Sequence, residues 1–174
     1  MDLAKVLDAG SVAIIGASRD EKKRGYQAIK ALQDGRYEGT IHAVNPVEEM
    51  VLGLRCHRTV LDIEGDVDLA LITTPAPTIP DILEQCGKKG VAGAVIIAGG
   101  FGELGEKGRK LQDRIVDIAR EHGIRLIGPN TSGMISTRRN LNLLGLSGIP
   151  GGDIALLSQS GNMALHIITE ASLK

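Results

Sequence analysis

Residues 11–25 read SVAIIGASRDEKKRG. The apolar run Val12-Ala13-Ile14-Ile15 stops abruptly at Gly16-Ala17-Ser18, the pattern of a buried parallel strand feeding a tight turn. Lys22, Lys23, Arg24 and Gly25 come next, followed by Ala28, Ile29 and Leu32 at helical spacing. Strand, glycine turn, cations and helix start together make an anion site, because free backbone N–H groups and the positive end of the helix dipole face one point. A glycine that merely permits a tight turn would account for the same letters without a ligand. Such turns lie at the ligand edge of a doubly wound sheet, which favours phosphate.

The two commonest phosphate ligands do not fit the loop. A dinucleotide fingerprint needs G-x-G-x-x-G and an acid closing the second strand. Here Ser18 stands two residues after Gly16, and the second strand, 40–44, runs into Asn45-Pro46, with Glu48 and Glu49 only beyond the proline. No G-x-x-x-x-G-K-[ST] run occurs either.

The 174 residues have room for one full domain and part of another. Apolar residues at 43% and charged residues at 24% predict a real core under a soluble surface. A net charge of −1 offers no field for nucleic acid, and 2% aromatics offer no stacking platform for single strands. The longest apolar stretch, 91–98, is too short for a bilayer and contains Gly93, and the N-terminus MDLAKVLDAG lacks a signal-type core. Cys56 and Cys86 have no metal-ligand spacing around them. These features predict a soluble, cytoplasmic protein without nucleic-acid or membrane partners and without a bound metal.

Further strands are expected at 67–73, 94–97 and 125–127, and a short helical lead-in at 2–9. Residues 47–53 read as irregular loop and 59–63 as one helical turn. Ile79, Ile82, Leu83 and Cys86 form one helix stripe, stopped by Gly87 and Gly90; Leu111, Ile115, Ile118 and Ala119 form another. Alternating strands and helices imply a parallel sheet covered on both faces, with ligands beyond the carboxyl ends of the strands. Five loops converge there: Gly16-Ala17-Ser18, Asn45-Pro46, Thr74-Pro75-Ala76-Pro77, Gly99-Gly100-Phe101 and Gly128-Pro129-Asn130.

GAS, VNP, TPAP, AGGFGE and IGPN, in this order after successive strands, resemble the CoA-binding domain of NDP-forming acyl-CoA synthetases. That superfamily includes the succinyl-CoA synthetase α subunit and the ADP-forming acetyl-CoA synthetases. The resemblance covers essentially the whole chain and implies a Rossmann-like doubly wound α/β domain over residues 1–147. It places CoA phosphates at Gly16, Ala17, Ser18 and Arg19, with Lys22, Lys23 or Arg24 as charge partner beside Gly25. Asn45, Pro46, Thr74, Pro75 and Ala76 complete the rim. Phe101 belongs to the same binding rim; Ala98, Gly99 and Gly100 would lie along the CoA arm, and Asn130 near the thiol. Two departures stand out. Val47, Glu48 and Glu49 occupy the region where succinyl-CoA synthetase brings a lysine to CoA, and Thr131 stands where many relatives have cysteine.

Residues 148–152, GIPGG, read as a linker. A new strand at 154–157 then leads into Ser158-Gln159-Ser160-Gly161 and a helix from Met163. That is a second helix-N-terminal anion loop, or a βα turn capped by serine. It is similar to the phosphate loop of the family's flavodoxin-like second domain, so residues 153–174 are expected to be the truncated start of that domain. His166 does not match the family's active histidine, and the chain is expected to be a fragment.

The resemblance implies an acid–CoA ligase that converts carboxylate, CoA and ATP or GTP, with Mg, to acyl-CoA, NDP and phosphate. The phosphohistidine, the C-terminal synthetase domain and the ATP-grasp domain or subunit would lie outside this chain, which alone should bind CoA and turn over nothing. Two alternatives stay open: an NAD(H)-sensing Rossmann module, and the synthetase-like regulatory domain of a protein lysine acetyltransferase.

Overall fold

The computed structural model describes residues 3–146, 149 and 151–172. Its centre is a seven-stranded sheet built from β1 (Ser11–Ile15), β2 (Thr40–Val44), β3 (Met50–Val51), β4 (Leu54–His57), β5 (Leu69–Ile72), β6 (Gly93–Ile96) and β7 (Arg125–Ile127). The strand order is β3-β4-β2-β1-β5-β6-β7. Every pairing is parallel except β3 with β4. β1 pairs with β2 from Ser11↔Thr40 to Ile15↔Val44 and with β5 from Val12↔Leu69 to Ile15↔Ile72. The chain reverses direction across the sheet between β2 and β5, which places the switch point beside the carboxyl end of β1.

Alternation along each strand divides the core into two layers. Val12, Ile14, Ala43, Leu69, Leu71 and Val95 face α2 (Arg24–Asp34) and the hairpin of β8 (Ile135–Ser136) and β9 (Leu141–Asn142). Ala13, Ile15, Val44, Ala70, Ile72, Ala94 and Ile96 face α3 (Ile79–Lys89) and α4 (Glu106–His122). All five residues of β1 are buried, as a strand covered on both sides requires. Asp68 anchors its start by accepting the N–H groups of Gly10 at 2.8 Å and Ser11 at 3.2 Å.

Four expectations change. Residues 47–53 are not simply irregular, because Met50–Val51 and Leu54–His57 form a small edge hairpin. Gly87 lies inside α3 rather than ending it; a Cβ there would press on the His122 ring of α4, and Gly90 with φ +81° makes the stop. The N-terminal helix α1 spans only Ala4–Leu7, and of its apolar face only Val6 is buried. The strand expected at 154–157 belongs to neither sheet: Ile154 and Leu157 are 95% and 100% exposed, since a single strand without a neighbour has no ladder to join. The helix expected behind it is present as α5 (Gly161–Ser172). Of the expected linker, residues 148 and 150 lie outside the described residues, as do residues 173–174 at the end.

Candidate functional site

The loops after β1, β2, β5, β6 and β7 lie at one edge of the sheet because those strands are parallel. The first loop is held rigidly from below. Gly16 and Ala17 both donate their N–H groups to the Val44 carbonyl, at 3.0 and 3.2 Å. The Asn45 side chain donates to the Ala17 carbonyl at 2.6 Å, and its oxygen accepts the N–H groups of Val47 and Glu48 at 2.8 and 3.0 Å. Thr73 donates its hydroxyl to the Ile15 carbonyl at 3.0 Å. Gly16 adopts φ +94°, and Gly25 permits α2 to pack directly on the Gly16 carbonyl, where any Cβ would clash.

Beyond Ala17 the loop turns outward. The Ser18 hydroxyl accepts the Asp20 N–H at 3.1 Å, and Asp20 in turn accepts the N–H groups of Lys22 and Lys23 at 3.0 Å each. Lys23 is the N-cap of α2 and supplies no capping acceptor. The first turn of a helix leaves N–H groups without intrahelical partners, so this end is electropositive and flanked by two lysines. Arg19 points sideways and pairs with Glu48, Nε to Oε2 at 2.5 Å. Arg24, the first residue of α2, sends its guanidinium to the carbonyls of Ser132, Leu143 and Leu144. The structure thus separates the cations of this stretch. Lys22 and Lys23 flank the helix start, while Arg19 and Arg24 have protein partners.

Across the edge, Thr78 donates to the Pro75 carbonyl at 2.8 Å and bonds the Thr74 hydroxyl at 2.9 Å, shaping the Thr74-Pro75-Ala76 turn. Ala76 is buried, and a Cβ on Gly100 would lie 3.1 Å from its methyl, so these two loops touch. Asn130, at φ +56°, donates its N–H to the Ala98 carbonyl at 3.0 Å and stands beside Gly99. Phe101 departs from its expected place on the rim. Its side chain is fully buried in the layer under α3 and α4, because a lone large apolar ring gains more from the core than from water.

Glu103, within the AGGFGE motif, lies against the Gly99-Gly100 loop. Its carboxylate accepts the Gly100 N–H at 2.6 Å. Backbone N–H groups, that of Gly100 foremost, hold it below the ordinary carboxylate range. The signal was the three-residue spacing from Gly100 to Glu103, the reach of a capping-box acid. Ser158, Gln159, Ser160 and Gly161 form the turn into α5, where Ser158 accepts the Ser160 N–H at 3.1 Å. A Cβ on Gly161 would meet the Ser132 hydroxyl, which places the start of α5 against the segment that follows Asn130. Among the described residues no group of three or more His, Cys, Asp or Glu side chains could hold a metal ion, and no helix is long and apolar enough to cross a membrane.

The model of the CoA binding domain matches residues 10–137, which contain all five sheet-edge loops. The chain belongs to the CoA-binding domain family. This CoA-binding domain is 44% identical over 164 residues to an ADP-forming acetate–CoA ligase of Methanocaldococcus jannaschii, a match covering 94% of this chain and 23% of that protein. It is 40% identical over 173 residues to the α subunit of ADP-forming acetate–CoA ligase I of Pyrococcus furiosus, covering 97% and 37% respectively. The dinucleotide forming acetyl-coenzyme A synthetase 1 of Ca. Korarchaeum cryptofilum, solved in complex with phosphate and ADP, superposes with TM-score 0.90 at 31% identity, over 99% of this chain and 37% of that one. The CoA-binding domain therefore spans well under half the length of each of these three relatives.

Proposed function

We propose that this chain is the CoA-holding part of an NDP-forming acyl-CoA ligase. The observation that carries the reading is the braced loop at the switch point, held by Val44, Asn45 and Thr73 and followed directly by Lys22, Lys23 and the uncapped, electropositive start of α2. The family membership and the acetate–CoA ligase relatives support the same ligand. CoA phosphates would rest on the backbone around Ser18 and on Lys22 and Lys23. The pantetheine arm would run past Ala98, Gly99 and Gly100 toward Asn130. The chain's work would be to position the thiol, which converts an encounter between two substrates into a directed one.

In the whole enzyme, carboxylate, CoA and ATP or GTP would give acyl-CoA, NDP and phosphate through a phosphohistidine carried elsewhere. Residues 1–147 would form the CoA-binding domain and 148–152 a linker. Residues 153–174 would begin a synthetase domain, with Ser158-Gln159-Ser160-Gly161 as its phosphate loop; the exposure of Ile154 and Leu157 supports a missing neighbour for that segment. A nucleotide-binding ATP-grasp domain or subunit would complete the machine, in the cytoplasm.

Calorimetric titration of the 174-residue chain with CoA, NAD⁺ and NADH tests the reading. Heat from CoA alone is expected. Heat from NADH alone would replace it with a redox-sensing module. Changing Lys22 and Lys23 to Ala should weaken CoA more than dephospho-CoA if they meet the 3′-phosphate, whereas equal losses would place them at the pyrophosphate.

A further inference from the structure

The Arg24 guanidinium stands among the residues of a phosphate loop, yet its donors point away from it. Nη2 donates to the Ser132 carbonyl at 2.9 Å and the Leu143 carbonyl at 3.3 Å. Nη1 donates to the Leu144 carbonyl and to Gln27 Oε1, each at 3.4 Å. The three carbonyls lie 108 to 120 residues further along the chain, all on the segment that follows Asn130. Among the described residues no carboxylate forms an ion pair with Arg24. A planar fork of five donors suits several carbonyls at once, and a lysine ammonium cannot span them in the same way.

That segment is itself anchored. Leu141 and Leu143 are buried against α2, and the Leu143 N–H donates to the Met134 carbonyl at 3.0 Å. Ser132 is two residues beyond Asn130 and abuts the start of α5. Holding its carbonyl therefore fixes where the Gly128-Pro129-Asn130 turn stands relative to Gly16 and Ser18.

From these contacts we infer that Arg24 is a positioning residue that ties the phosphate end of the site to the turn carrying Asn130. The inference rests on the CoA reading for what occupies those two ends. Its consequence is specific: Arg24 acts on the far arm of the ligand and not on its phosphates.

Arg24→Met keeps the length of the side chain and removes the donors; Arg24→Lys keeps the charge and loses the fork. The 174-residue chain and both variants are titrated with CoA and with adenosine 3′,5′-bisphosphate, which carries phosphates but no pantetheine arm. Arg24→Met should weaken CoA about tenfold, the scale of a lost charge-assisted hydrogen bond, and leave the bisphosphate within about twofold. Arg24→Lys should fall between, and it carries the test if the Met variant does not fold. Amide exchange across 131–146 should quicken in Arg24→Met while α2 keeps its protection. Equal losses for both ligands would make Arg24 a phosphate contact and overturn the inference, as would unchanged CoA affinity. If the native chain binds no CoA, the proposed function fails by itself and amide exchange decides the tie: quickening at 131–146 upholds it and unchanged exchange overturns it.

Discussion

At Gly16 φ is +94°, and a Cβ would stand 2.5 Å from the Thr73 hydroxyl and 3.1 Å from the Thr74 methyl. Gly16→Val should therefore cost on the order of 1–3 kcal/mol in backbone strain alone and remove CoA binding. Urea unfolding and calorimetry measure the two losses, and retained affinity would place the ligand elsewhere. His42 shows a different sensitivity. Burial, with His57 and Lys89 nearby, holds its imidazole below the ordinary value. The unfolded chain then takes up a proton that the folded chain resists, so this contribution is intact above about pH 6.5, the unperturbed histidine value, and is lost as pH falls through the depressed one. Melting temperature should decline on acidification through that window, and His42→Gln should flatten the decline. An identical slope in the variant would assign the loss to other groups.

Among the elements, β1, β2, β5, β6 and β7 announced themselves because each is a short, largely apolar run with Gly, Pro or Asn soon behind it, and the same punctuation marked the loops of the site. The edge hairpin did not, since Met50–Val51 is two residues long and no period can be read from two letters. Leu141 and Leu143 join the core through a hairpin whose strands are equally short. Partners such as Arg24 with Ser132 or Arg19 with Glu48 were beyond reach, because spacing along the chain says nothing about which distant carbonyl or carboxylate a cation will meet. Phe101 shows the converse error: its place in a loop suggested the rim, but its apolar ring belongs to the core. Phe101→Ala should cost about 3–5 kcal/mol, the range for deleting a buried aromatic ring, and loosen the loop that Glu103 ties to Gly100. Chemical denaturation would give the first effect, and faster amide exchange at residues 98–103 the second.

For the molecule as a whole, both core layers are assembled from residues before 146, while 151–172 leave Ile154, Leu157 and Met163 exposed. A chain ending at residue 146 should thus melt within about 2 °C of the 174-residue chain, a shift well below the ~4–8 °C that 1 kcal/mol produces in a small domain. A larger drop would show that α5 and its approach stabilise the sheet. The Val44 carbonyl has one more effect, and it concerns time. By accepting both Gly16 and Ala17, with Asn45 and Thr73 bracing the same turn, it leaves the cradle little to rearrange when an anion arrives. Capture should then be governed by diffusion and by the field of Lys22 and Lys23: a single fast phase, quickened at low ionic strength, with no slow step of loop closure behind it.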